Sequence, residues 1–204
     1  MFKMDVSAIR LEALKEIVNI GSGNAASSLS SMLQTRIEMT VPKVWLVPLN
    51  KLSDALGRLD ELKVVLFLKV EGGAPGKAMF VLDENSAEII VRKLLRQPDK
   101  VDILKDEMAH SALKELGNVM VSSFVTALAT FSGITLQISV PALGIDMIGA
   151  MIDAALIEGG RVDDDVLILN TKLSASEASE EYEGMFLFIP EEGALDKLLG
   201  VFGI

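Results

Sequence analysis

From Ser7 to about Thr35 the apolar residues recur in steps of three and four, at Leu11, Leu14, Val18, Gly21, Ala25, Leu29 and Met32. That spacing predicts one face of a long helix. "RIEMTV" and "VWLVPL" then read as strands on either side of Pro42, and "KLSDALGRL" as a short helix. "LKVVLFLKVEG" and "KAMFVLD" flank a glycine turn and predict a hairpin. "ENSAEIIVRKLLRQ" predicts a helix that is acidic at its start and basic at its end, as the helix dipole favours. A second long helical pattern runs from near Lys105 to about Phe131, through Leu113, Leu116, Met120, Phe124 and Leu128. "ITLQISV" follows as a strand ending at Pro141, and residues 145–157 predict a short helix. "DVLILNTKLSA" and "EYEGMFLFIP" predict two more strands around the acidic turn "SASEASEEYE", and "EEGALDKLLGVF" a last helix.

This order is helix, strands, helix, stated twice. "ALKEIVNIGSGNAASSLSSM" at 13–32 aligns over "ALKELGNVMVSSFVTALATF" at 112–131, an offset of 99 (115 − 16). Asn19 falls on Asn118, Leu29 on Leu128, and Pro42 on Pro141. The repeat decides between two readings of "KEIVNIGSGNA" at 15–25. Gly21 and Gly23 could form a phosphate-cradling turn, or they could lie inside the helix. The second copy has "NVMVSS" where the first has "NIGSGN", and Met-Val-Ser-Ser cannot wrap a pyrophosphate. A dinucleotide fingerprint would also need a preceding strand and a third glycine. The helical reading is therefore preferred. "EGGAPGKA" at 71–78 lacks both the leading glycine and the Ser/Thr of a P-loop, and it reads as a hairpin turn.

Both copies keep Glu-x-x-Asn. Residues three apart share a helix face, and at 100° per residue Glu16 and Asn19 lie roughly 130° from the centre of their apolar stripe. Glu115 and Asn118 lie further still from theirs. Both pairs are expected to face solvent or a partner, with Gly23 and Ser122 one turn beyond. Exposed glutamate on a helix is ordinary, but mid-helix asparagine lowers helix propensity by about half a kcal/mol relative to alanine. Its recurrence, where neighbouring glycines and serines have drifted, points to a function.

Composition narrows the classes. The chain has 204 residues, enough for one substantial domain or two small ones. With half of its residues hydrophobic and 24% charged, it suits a globular protein with a well-filled core. No apolar run approaches the roughly 20 residues that span a bilayer. A net charge of −10 argues against nucleic acid and anionic membranes as partners. There is no cysteine and one histidine, His110, which reads as a solvated residue early in a helix. Carboxylates and amides, or the partner, must carry any chemistry. Nothing marks the N-terminus for export, so the reading is a soluble, cytoplasmic protein.

Each copy thus has Glu, two residues, Asn, 22 residues and Pro: Glu16, Asn19 and Pro42, then Glu115, Asn118 and Pro141. This resembles the signature of the CheC/CheX/FliY family of chemotaxis phosphatases, which opens with Asp or Ser four residues before the glutamate. Ser111 satisfies that position in the second copy, whereas the first copy has Glu12. Two copies in a chain of this length resemble the CheC branch of the family. The resemblance implies a substrate, the response regulator CheY carrying an aspartyl phosphate. It also implies that Asn19 and Asn118 orient the attacking water, and that Glu16 and Glu115 pair with the regulator's active-site lysine. In-line phosphoryl transfer needs a placed water and neutralised charge more than a strong base. No cofactor of the chain's own is implied, since Mg²⁺ would be supplied by the regulator. The prolines would end a strand after each helix.

A second surface lies in "GIDMIGAMIDAALIEGG", apolar almost all round with Asp146 and Asp153 seven apart. By the same resemblance this segment binds CheD, the receptor deamidase, through Asp146, Met147, Gly149 and Ala150.

The expected architecture is a single α/β (α+β, two-layer) domain over 1–204 with pseudo-two-fold repeats at about 7–100 and 105–204. Two long helices would cover a mixed or antiparallel sheet with their Glu/Asn faces outward. Such a chain presents two sites without dimerising, so a monomer or a hetero-oligomer with CheD is expected. The rival readings are a non-catalytic module of the FliM switch type, which would not need the asparagines, and a nucleotide-binding enzyme.

Overall fold

A computed structural model describes residues 6–97, 99–157, 161–175 and 181–200, with side chains from Leu11 onward. The first long amphipathic pattern forms α1, Val6–Leu33, and the second forms α4, Glu107–Ser132. Asp106 caps α4 by accepting from the amides of Met108 and Ala109 at 2.8 and 3.2 Å, which satisfies two of its orphan N–H groups. Gly133, at φ 64°, ends it.

Strands β1 (Ile37–Pro48), β2 (Leu62–Gly72), β3 (Gly76–Asp83), β4 (Leu136–Ile138), β5 (Ala142–Met147), β6 (Asp165–Ala175) and β7 (Glu181–Pro190) build one sheet. Its order is β1-β6-β7-β3-β2-β4, with β5 also on β2, and each of its pairings is antiparallel. The segment 71–78 holds the expected hairpin turn, with residues 73–75 joining the end of β2 to the start of β3. Of the acidic turn, residues 176–180 lie outside the described residues.

The first strand of each half pairs with the other half. Ile37 lies opposite Ala175 and Leu136 opposite Gly72; Lys43 lies opposite Asn170 and Ala142 opposite Phe67. Each correspondence is an offset of 99 (136 − 37) on one strand and 103 (175 − 72) on its partner. The duplication read from the helices therefore extends to the sheet register, and the halves are interlocked.

One sheet face carries α1, α4, α3 (Glu84–Leu95) and α6 (Ala194–Gly200) over the main core, which includes Leu14, Leu29, Leu66, Phe80, Leu113, Phe124 and Phe186. The other face carries a smaller core of Val65, Met79, Ile168 and Leu187 beneath α2 (Leu52–Leu56) and α5 (Ile148–Ile157). Two local expectations are corrected. Pro42 does not end a strand: β1 passes through it, with a register shift between Thr40 and Lys43 that absorbs the missing N–H. Only at Pro141 is the strand broken, between β4 and β5. The segment 145–157 is also not one helix. Ile145, Asp146 and Met147 pair with β2 and satisfy its edge, and the helix begins only at Ile148.

The glycines at 15–25 are resolved in favour of the helix. A Cβ on Gly21 would meet Phe124 Cδ1 at 2.8 Å, so glycine is there to let α1 approach α4. Gly117 does the same for α4 on the sheet, where a Cβ would meet Leu66 Cβ at 2.7 Å.

Candidate functional site

The apolar stripes bury Ile17, Val18, Leu116 and Gly117, the residues between each Glu and Asn. That places the motif residues on the far side of each helix. Glu16 and Asn19 are exposed on α1; on α4, Glu115 is exposed and Asn118 half-buried. Among the described residues no side-chain hydrogen bond or ion pair engages any of the four. A carboxamide held this way can both donate to and accept from water.

The second copy gathers its whole motif. Ser111, Lys114, Glu115 and Asn118 of α4 face Ile138, Ser139, Val140 and Pro141 across an open groove of about 520 Å³. The far wall is the break between β4 and β5, and it is pinned to β2. Ser139 N donates to Lys69 O at 2.9 Å, and Ser139 Oγ accepts from Lys69 N at 2.9 Å. The wall thus holds Val140 out in solvent, 87% exposed. In the first copy the equivalent Val41 packs against the main core. Pro42 instead lines a depression with Lys63, Asp83, Asn170 and Lys172 on the sheet. The structure brings Pro141 into one groove with Glu115 and Asn118, whereas Pro42 lines a depression on the sheet.

The N-terminal departure also has a local consequence. Glu12 Oε1 lies 2.6 Å from Lys15 Nζ, whereas Ser111 Oγ donates to the carbonyl of Glu107 at 3.0 Å. Lys114 and Val140 were not singled out from the sequence. The only signals for them were the letter-for-letter Ala-Leu-Lys-Glu match and a Val-Pro pair at the end of an expected strand.

His110 is half-buried rather than solvated, and its Nε2 bonds the carbonyl of Ile103 at 2.8 Å, tying the α3–α4 linker to α4. Among the described residues no group of three or more His, Cys, Asp and Glu side chains could hold a metal ion. No described helix is long and apolar enough to cross a membrane.

The second surface differs from the expected helix in its secondary structure. Asp146 and Met147 end β5 opposite Lys63 and Leu62, and Gly149 and Ala150 lie in the first turn of α5. Asp146, Met147 and Ala150 are exposed, and Met147 and Leu62 form an apolar pair in solvent at 48% and 42% exposure. Asp153 is exposed further along α5, but not on a helical stripe with Asp146. The loop before β2 fixes the junction: Ile148 N and Gly149 N donate to Glu61 O and Leu59 O at 3.1 and 3.0 Å.

A sheet closed by two interlocked halves, with a Glu-x-x-Asn face on each long helix, defines a class. The fold is shared with Thermotoga maritima FliY, at a TM-score of 0.75 and 23% identity over 98% of both chains. A chain of the CheX-CheY-BeF3-Mg+2 complex from Borrelia burgdorferi matches at a TM-score of 0.51 and 22% identity, over 84% of this chain and 96% of that one. In sequence, the CheC-like family profile matches residues 9–46 and 108–145, two segments with the same offset of 99 (108 − 9). The CheY-P phosphatase CheC of Bacillus subtilis is 32% identical over 196 residues, 95% of this chain and 94% of that protein. The chain belongs to the CheC-like family.

Proposed function

We propose that the protein is a phosphatase that hydrolyses the aspartyl phosphate of a CheY-type response regulator. The observation that carries this reading is the second groove, where an unengaged carboxamide stands one turn from an unengaged glutamate opposite Pro141. The relative that covers nearly all of this chain is named a CheY-P phosphatase, which supports the same reading. In the proposed step Asn118, and Asn19 in the first copy, holds a water in line with the aspartyl phosphate. The water oxygen bonds to phosphorus while the bond from phosphorus to the aspartyl oxygen breaks. Aspartate leaves with the electron pair as a carboxylate, and both water protons depart on inorganic phosphate. A neutral amide suits this work because it orients water without repelling the phosphoryl oxygens. Glu16 and Glu115 fix the register by pairing with a regulator lysine. The Mg²⁺ that neutralises the phosphoryl group comes with the regulator, in the cytoplasm where regulators are phosphorylated. CheD docks at the junction of β5 and α5, on Asp146, Met147, Gly149 and Ala150, and modulates the activity.

The test is phosphate loss from a CheY-type regulator charged with acetyl phosphate. Intact protein accelerates it; Asn19→Ala and Asn118→Ala each remove one site, and losing a positioned water costs on the order of 100-fold at that site. The double variant returns decay to the intrinsic rate. Unaccelerated decay with the regulator still bound would make the protein a docking module of the FliM type instead.

A further inference from the structure

The two sites share Glu-x-x-Asn but differ in the charge around it. Lys114 lies four residues before Asn118 on the same helix face and is exposed in the groove. Positions three and four residues either side of it hold His110, Ser111, Gly117 and Asn118, so α4 offers it no carboxylate there. Ser111, the nearest of these toward the N-terminus, turns its hydroxyl back to Glu107 O and contributes no charge. Lys15 occupies the same place in the first copy, but its ammonium is held 2.6 Å from Glu12. An aspartyl phosphate is a dianion among carboxylates, approaching a chain whose net charge is −10. A free cation beside the reacting group would both steer that encounter and offset its repulsion.

We propose that Lys114 is a substrate-contact residue of the second site, meeting the anionic pocket of the phosphorylated regulator, and that Glu12 silences its counterpart Lys15, which makes the first site the weaker one. The proposal rests on the phosphatase reading above and adds to it an electrostatic difference between the sites. An exposed ion pair is weak and screened by salt. The first site is therefore lessened rather than abolished.

The experiment reads each site alone. In an Asn19→Ala background, where only the second site works, Lys114→Met should lower kcat/KM by about three- to tenfold, mostly through KM. It should also flatten the salt dependence, and Lys114→Arg should restore both. In an Asn118→Ala background, Glu12→Ser should raise kcat/KM of the first site by about two- to fivefold at low salt. A merely structural lysine would leave the salt dependence unchanged. Unchanged kcat/KM and an unchanged salt slope in Lys114→Met overturn the proposal, as does a Glu12→Ser variant no faster than its parent. Binding of the regulator charged with beryllofluoride separates this from failure of the phosphatase reading. If no variant or parent turns over but Lys114→Met still weakens binding and its salt dependence, the contact stands and catalysis falls. If binding is equally indifferent to Lys114 and to salt, the contact falls.

Discussion

Lys77 is a buried cation that fastens α5 to the sheet. At 4% exposure it runs from β3 under α5 and donates to Ala155 O at 2.6 Å, near the helix C-terminus. A positive charge there meets both an orphan carbonyl and the negative end of the helix dipole. Lys77→Met keeps the stem's bulk but leaves that carbonyl without its donor. Thermal or urea denaturation should register a loss of about 1–3 kcal/mol, with the proposed phosphatase activity of folded protein retained. The sequence offered no sign of this role, because a lysine in "GKAMFVLD" looks like any polar position on a strand. The outward placement of Asn19 and Asn118 was legible for the opposite reason. An unfavourable residue recurring at one helical position announces itself, while a lysine or serine whose meaning lies in a neighbour far along the chain does not. Ser139 is of the latter kind: its bonds to Lys69 hold the groove wall, and nothing local encodes the pairing.

At the scale of elements, α1 shows how two glycines in one helix can have opposite consequences. Gly23 is exposed, and a Cβ placed there would have nothing within 4 Å. Gly23→Ala should therefore stabilise the protein by up to about 1 kcal/mol through helix propensity. Gly21 faces Phe124, whose ring also packs on Phe186 with centroids 4.9 Å apart. The same substitution there must push α1 away from α4 and should cost about 1–3 kcal/mol. Paired chemical denaturation of the two variants checks the contrast in sign. Helix existence and the hairpin were readable because their periods of 3.6 and 2 persist over many residues. The junction at Met147–Ile148 was not, since "GIDMIGAMIDAALI" is apolar enough to suit either period. The unfilled edge of β2 decides it. Pro42 was misjudged for a similar reason: an edge strand with a register shift accommodates a proline that a central strand would refuse.

For the whole molecule, the exchange of first strands makes the halves interdependent. β1 finds its partner in β6, and β5 in β2, so neither half can complete a sheet of its own. Residues 1–104 and 105–204, expressed separately, should each lack a cooperative unfolding transition. Mixed or co-expressed, they should assemble one-to-one and recover such a transition, as circular dichroism and sedimentation would show. Two halves that melted cooperatively alone would contradict the interlocked sheet. The repeat itself was visible in the letters of α1 and α4, but the exchange was not. A repeat states that two units are alike without stating whose strand each unit borrows.

That borrowing also has the form of a dimer drawn within one chain. A single unit leaves its first strand unpaired, so the matched register of Ile37 with Ala175 and Leu136 with Gly72 is the register that two identical chains would show on exchanging those strands. Within one chain the two copies need not be identical, and a glutamate stands at position 12 where a serine stands at 111. One chain thus holds the frame in duplicate while its two motifs differ as individuals.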